Sequence, residues 1–333
     1  MTGQRLPTPE ELLEHAVVLS LPMRTRFRGI TTREVMIVEG PAGWGEFGPF
    51  VEYDDEESAA WLAAGIEAAY LGPPPERRDR IAVNATVPAV PASEVAGILA
   101  RFPGARTAKV KVAEPGQTLD DDVARVAATR ELIGRVRVDA NGKWDVAQAI
   151  TALRAIGDLE YAEQPCATVE ELAAVRRAVD VPIAADESIR KAADPMRVVA
   201  AEAADIAVLK VAPLGGMRAV LTLAEEIGLP VVISSALDSA VGIAAGVAAA
   251  AALPELPFAC GLGTGSLFTG DVADGGTPDG GTPDDGHLRP QWFGPGDLDV
   301  PSTLCAAEDR RRWWHERLRR AHAVLTARGH RLG

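Results

Sequence analysis

Histidine is scarce in this chain. Of 333 residues only His15, His287, His315, His322 and His330 are histidine, so positions 16 to 286 hold none. A histidine base, a Ser-His-Asp triad or a histidine-ligated zinc would have to be assembled from the chain ends. Lysine is as rare: Lys109, Lys111, Lys143, Lys191 and Lys210 are the full set, and the rest of the 34 positive charges are arginine. Arginine keeps its proton in a protein and lysine can release it, so these five are the first places to look for a base. Cysteine occurs three times, at Cys166, Cys260 and Cys305, an odd number without paired spacing. That excludes a disulfide framework and a zinc knuckle, and it points to a reducing compartment, the cytoplasm. The start of the chain lacks a basic segment followed by an apolar run, so no signal peptide is expected. Long hydrophobic runs are missing too: the most apolar stretch, 239–253, is shorter than the roughly 20 residues of a membrane span and reads as a buried helix. A net charge of −13 sets nucleic acid and anionic membranes aside as partners. An anionic small-molecule substrate would need a local positive site.

What is present is the composition of a folded globular protein, 47% hydrophobic and 24% charged. From about residue 82 a unit recurs: a short β-branched run, a polar turn and a segment of helical period. The runs are 81–87, 107–112, 135–139, 159–163, 182–187, 206–211, 231–235 and 258–262. Helix signals lie between them. Thr168 and Glu171 are spaced as a capping box before Val169, Leu172, Val175 and Val179, and Asp145 can cap a helix whose Val146, Ile150 and Leu153 point inward. Eight strands alternating with helices fit a parallel barrel, with a doubly wound open sheet as the alternative. The best glycine candidate for that alternative, at 261–265, has Ser266 where a dinucleotide fingerprint wants glycine. Residues 1–80 read as an α+β unit, with strands over 17–21, 34–38 and 43–47 and a helix over 57–70. Pro73, Pro74 and Pro75 mark its boundary. The barrel is assigned to 81–266 and a C-terminal segment, 267–333, returns to the capping unit. A tandem Gly-Gly-Thr-Pro-Asp repeat over 275–284 reads as a loop without catalytic side chains.

In a parallel barrel the chemistry sits at the carboxyl ends of the strands. Five neighbouring runs close on Lys111, Asp139, Glu163, Asp186 and Lys210, at intervals of 28, 24, 23 and 24 residues, one strand-helix unit each. Any one of these acids alone reads as a helix cap. Three converging carboxylates cannot all stay ionised in an apolar barrel without a counter-charge, and an oxygen-only donor set favours Mg²⁺, with Mn²⁺ as a substitute. Lys109 and Lys111 are two apart on one strand, so both face the interior. Each should depress the ammonium pKa of the other, and Lys111, nearer the carboxyl end, is the expected base, facing Lys210 across the mouth. Arg137 shares the inward parity of Asp139 and is expected beside the site.

These residues resemble the enolase superfamily, and in it the muconate-lactonizing subgroup, whose pattern is Lys-x-Lys followed by Asp, Glu, Asp and Lys on successive strands. The match extends to the segments 137–141, with Asn141, 163–165 and 186–188, and to Ser234 and Ser235. The resemblance implies a modified TIM barrel, (β/α)7β, with an α+β capping domain, Mg²⁺ on Asp139, Glu163 and Asp186, and a Lys111/Lys210 pair. Within the subgroup, residues 24–34 and Trp44-Gly45-Glu46 look like the actinobacterial o-succinylbenzoate synthase family. That implies a lyase dehydrating 2-succinyl-6-hydroxy-2,4-cyclohexadiene-1-carboxylate in menaquinone biosynthesis. Ser234, Ser235 and the turn at Gly263 and Thr264 would then face the succinyl carboxylate. N-succinylamino acid racemases share the lysine pair and are the runner-up, whereas dipeptide epimerases carry an Asp-x-Asp at the last strand that 261–266 lacks. A third reading takes residues 308–333, with eight arginines against three acids, as a nucleic-acid or acidic-partner helix. The sequence leaves the oligomeric state open, a monomer included.

Overall fold

A computed structural model describes residues 5–190, 194–273 and 285–332. The Gly-Gly-Thr-Pro-Asp repeat lies outside the described residues. The chain opens with α1 (Pro9–Glu14), fixed by a capping box between Thr8 and Glu11. An antiparallel sheet of β1 (Ala16–Phe27), β2 (Ile30–Gly40) and β3 (Gly43–Phe47) follows in that order. The turn between the first two strands is Arg28 and Gly29, with φ of 50° and 81°, a two-residue connection whose twist matches the strands it joins. The hairpin runs well past the apolar stretches at 17–21 and 34–38. Its outer part alternates exposed and half-buried residues around Arg24 and Arg26, so hydrophobicity gives no hint of it. The helix α2 (Asp55–Leu71), N-capped by Asp54, packs on β3. A Cβ on Gly45 would collide with the Gly65 carbonyl, so both glycines are needed for that approach.

The parallel sheet begins at a broken strand, β4 (Ile81–Ala82) and β5 (Ala85–Val87). Then come α3 (Val95–Leu99), β6 (Thr107–Lys111), α4 (Leu119–Leu132), β7 (Arg135–Asp139), α5 (Val146–Ile156), β8 (Ala162–Glu163), α6 (Val169–Arg176), β9 (Ile183–Ala185), α7 (Glu187–Arg190), α8 (Arg197–Ala200), β10 (Ile206–Leu209), α9 (Val211–Leu214), α10 (Met217–Ile227), β11 (Val231–Ile233) and α11 (Ala240–Ala252). Strands β5 to β11 form one seven-stranded parallel sheet in chain order. Cys260 bridges to Val83 and Gly261 to Ser234, so the 258–262 run joins the two edges as an eighth strand of only two bridges. The ring is a (β/α)7β barrel, and the open-sheet alternative is excluded. Capping boxes at Thr118/Asp121, Asp145/Gln148 and Thr168/Glu171 set the starts of α4, α5 and α6. The 239–253 stretch is the buried helix α11.

Period-two alternation layers the barrel interior. Tyr161, Ala184, Ile206, Val208 and Val232 form a small buried cluster deep in the barrel, with Phe258 against it. One step further along the same strands come the charged residues of the mouth. Past the barrel, β12 (His287–Leu288) pairs with β4, and α12 (Glu308–Ala327) buries Trp314, Leu318, Ala321 and Leu325 against the N-terminal unit. Arg310 pairs with Glu34, Arg320 with Asp55 and Arg328 with Glu56, while Arg317 is buried on three main-chain carbonyls and Ser58. The positive charge that suggested a nucleic-acid helix is spent on the N-terminal unit at these positions.

Candidate active site

The carboxyl ends of the strands collect the charged residues in one place. Lys111, closing β6, donates from Nζ to Asp139 Oδ2 at 2.5 Å and to Asn141 Oδ1 at 2.7 Å. Lys109, two residues earlier, reaches both oxygens of Glu163 at 2.8 and 3.0 Å and lies 3.3 Å from Asp139. Lys210, just past β10, donates to Asp186 Oδ2 at 2.5 Å, and Arg190 Nε donates to the other Asp186 oxygen at 2.9 Å. Sequential strand order puts β6 second and β10 sixth in a ring of eight, so the two lysines enter the mouth from opposite walls. Gln164 ties neighbouring strand ends together. Its side-chain oxygen accepts from the Asp186 and Ser188 amides, and its own backbone is left-handed at φ 40°. Asn141 is left-handed as well, at 48°, with its amide on Asp139 Oδ1. Backbone strain of this kind persists where surrounding contacts over-determine the geometry.

The charges respond to burial and to one another. Burial lowers the Lys111 ammonium below its ordinary 10.5, with Lys109 adding to the effect and Asp139 opposing it. Lys109 departs from the mutual-repulsion argument. Burial works downward there too, but the Glu163 and Asp139 carboxylates outweigh it and hold the ammonium above its ordinary value. Counting lysines on a strand leaves out the acids that the next two strands bring. Asp139 is driven low against its burial by Lys111 and Lys109, and Asp186 is drawn down to about 2, again against burial, by Lys210 and Arg190. Glu163 is pushed up to about 7, first by burial and then by the Asp139 charge.

Among the described residues no group of three acids, histidines or cysteines is arranged around a cation. Lysines and Arg190 take the carboxylate oxygens instead. The donor set nonetheless fits a hard divalent cation: three carboxylates, each at most 1% exposed, contribute oxygen alone.

Lys109, Lys111, Asp139, Asn141, Lys210, Ser234, Ser235 and Thr264 line one pocket. Ser235 Oγ and Thr264 Oγ1 are 2.7 Å apart. Glu163 and Asp186 sit beside it as partners of its lysines. Two expectations fail. Arg137 has the inward parity and pairs in register with Lys109, but its side chain runs away from the mouth. It is paired with Glu160, bonded to the Ala259 carbonyl at 2.7 Å, and has its guanidinium 4.5 Å from the Tyr161 ring centroid, away from the pocket. Gly263 is not among the residues that line the pocket, and a Cβ there would meet the Asn84 carbonyl and the Phe102 ring. Sequence reasoning missed Phe27 and Arg28 at the hairpin tip, which line the pocket from the N-terminal unit. Their one signal was the Arg-Gly turn. It also missed Arg190, whose four-residue spacing from Asp186 could have suggested a partner.

Comparison with known proteins fits this arrangement. Residues 94–296 match the enolase C-terminal domain-like family model and residues 18–69 the enolase N-terminal domain-like model. The chain is 61% identical over 323 residues to the o-succinylbenzoate synthase of Mycobacterium tuberculosis, covering 96% of this chain and 97% of that one. It is 62% identical over 324 residues to that of Mycobacterium marinum, with the same coverage. The fold is similar to N-succinyl Arg/Lys racemase from Bacillus cereus (TM-score 0.71, 21% identity, 88% of this chain and 97% of that one). It is also similar to L-Ala-D/L-Glu epimerase from Bacillus subtilis (TM-score 0.71, 22% identity, 90% and 100%). A match across nearly the full length at this identity, on a barrel with two opposed lysines and three carboxylates at consecutive strand ends, means that the chain belongs to the o-succinylbenzoate synthase family of the enolase superfamily.

Proposed function

We propose that the chain is a lyase catalysing the syn dehydration of 2-succinyl-6-hydroxy-2,4-cyclohexadiene-1-carboxylate to 2-succinylbenzoate, a step of menaquinone biosynthesis. The observation that carries this reading is the pair of opposed lysines in one pocket, set on strands whose ends hold Asp139, Glu163 and Asp186. Lys111, with its lowered ammonium, removes the proton from the ring carbon that bears the carboxylate. The same group, now an acid, gives that proton to the hydroxyl leaving from the adjacent ring carbon, so one side chain on one face serves both transfers. One proton and one hydroxide leave as water, and the ring becomes aromatic. Lys210 stabilises the developing charge from the opposite wall. Mg²⁺ bound by Asp139, Glu163 and Asp186, with Mn²⁺ as a substitute, would supply the positive charge that the substrate carboxylate needs as the neighbouring proton departs. Arg28 and the Ser235–Thr264 hydroxyl pair face the remaining volume and are assigned to the succinyl carboxylate.

The reading divides the chain into a cap of residues 1–80, a barrel of 81–266 and a returning segment, 267–333. It places the protein in the cytoplasm, where the free thiols of Cys166, Cys260 and Cys305 stay reduced. The test offers the purified protein the cyclohexadiene carboxylate and, separately, N-succinyl amino acids in deuterated water. Rapid aromatisation is expected, lost on chelation and restored by Mg²⁺ or Mn²⁺. Deuterium entering N-succinyl amino acids far faster than the diene aromatises would replace this reading with a racemase. Full activity in excess chelator would remove the metal.

A further inference from the structure

The base stands at the very end of its strand, and the chain beyond it turns through an uncommon conformation: Ala113 has a φ of 60°, the left-handed region in which a Cβ crowds the following carbonyl. Two charged residues on the first two turns of α4 hold that stretch. Arg125 Nη1 donates to the main-chain carbonyl of Lys111 at 2.8 Å and to Asp122 Oδ1 at 2.8 Å. The second Asp122 oxygen accepts from the Ala113 amide at 2.9 Å. Arg125 Nε donates to the Val90 carbonyl at 2.6 Å, and Nη2 binds Gln117 Oε1. Gln117 in turn donates to the Ala89 carbonyl at 2.9 Å.

Arg125 is fully buried and Asp122 is 3% exposed. A buried ion pair is weak evidence for stability, because desolvation offsets the attraction and a well-packed apolar pair often serves as well. What an apolar pair could not do is accept the Ala113 amide and donate to the Lys111 carbonyl together. We propose that Asp122 and Arg125 are positioning residues for the base: they clamp the main chain on both sides of the Lys111–Ala113 turn and so fix where the Lys111 ammonium lies in the pocket. The inference rests on Lys111 being the base, and Lys111→Ala distinguishes failure of that assignment from failure of the clamp.

The test uses the full chain with Mg²⁺ and measures kcat, KM and thermal midpoint. Asp122→Asn keeps the shape but has one acceptor oxygen where two are needed. It is expected to cut kcat tenfold or more with KM within twofold and the midpoint within a few degrees. Arg125→Lys, which cannot span the Lys111 and Val90 carbonyls together, should behave alike. Adding Ala113→Gly to Asp122→Asn removes the backbone strain that would pull the turn open, and at least threefold of the lost kcat should return. A purely structural pair predicts otherwise: a midpoint loss that tracks activity, with glycine returning midpoint and kcat together. The proposal falls if Asp122→Asn and Arg125→Lys both keep kcat within twofold, if glycine restores nothing, or if Asp122→Asn fails to fold cooperatively. If Lys111→Ala itself retains turnover, the assignment of the base is what has failed. If Lys111→Ala is inactive while Asp122→Asn is normal, only the clamp is wrong.

Discussion

On the barrel side of the pocket, each charged group sits at or near a strand end and has a charged partner one or two strands away: Lys109 with Glu163, Lys111 with Asp139, Lys210 with Asp186. On the facing side, Phe27 and Arg28 sit at the tip of a two-residue turn. Arg28 rests over the Phe50 ring at 4.2 Å, and the Phe27 ring centroid lies 5.4 Å from Lys111 Nζ. Strand register and several polar bonds fix the first set to the sub-ångström placement that proton transfer requires. A hairpin tip held by one turn and a cation–π contact can recognise a substrate and shed water, but it is a poor place for a base. The barrel should therefore govern kcat, and the N-terminal unit should govern binding.

The largest effects that would sharpen this division come from the lysines. Lys111→Ala should reduce turnover on the order of 10³-fold or more, since it removes both proton transfers. Lys210→Ala should be severely impaired through lost charge stabilisation alone. Lys210→Arg should then recover part of the dehydration, because arginine supplies charge without exchanging a proton. Single-turnover rates on the diene measure both. If Lys210→Arg stays as inactive as Lys210→Ala, charge is not what Lys210 contributes.

The same division explains which parts were legible in the sequence. Lys111, Asp139, Glu163, Asp186 and Lys210 fall at nearly equal intervals because each closes one strand-helix unit, so residue spacing alone locates them. Parity gave the face for Lys109 and Arg137, which are register partners, but not which way along the barrel each long side chain runs. Both point inward, yet Arg137 is bound to Glu160 and the Ala259 carbonyl a layer below the pocket. Phe27 and Arg28 left no periodic trace, because a solvent-facing hairpin has no buried side to pattern. Asp122 and Arg125 were hidden for another reason: an acid and an arginine three apart on a helix look like a solvated pair until the fold buries them.

A middle-sized effect tests the binding side. Arg28→Ala should raise KM about tenfold, the worth of one partly exposed charge-assisted contact at about 1.4 kcal/mol, and leave kcat within about threefold. Initial rates over a range of diene concentrations separate the two constants. A fall in kcat comparable to that of Lys210→Ala would break the comparison and move the hairpin tip into the chemistry.

The smallest effect concerns the joint between the two regions. Glu46, on β3, accepts hydrogen bonds from the Ser239 amide at 2.9 Å and from its hydroxyl, at the start of α11. Asp238 lies beside it with its own oxygen on the Ala236 amide. Burial, then the Asp238 charge, push the Glu46 carboxyl up to about 8, against the pull of Arg33. Burial also raises Asp238. A carboxyl raised in the folded state binds its proton more tightly there than in the unfolded chain. Its contribution to stability is full below the unfolded value of 4.5 and is lost as pH climbs through about 8. The thermal midpoint should therefore fall by a few degrees between pH 6 and 9. Glu46→Gln, which cannot ionise, should flatten that decline, and so should Asp238→Asn, which removes the neighbouring charge, with kcat at pH 7 little changed in either. A midpoint that drops as steeply in Glu46→Gln as in the unaltered chain would show that the pH response of the joint arises elsewhere.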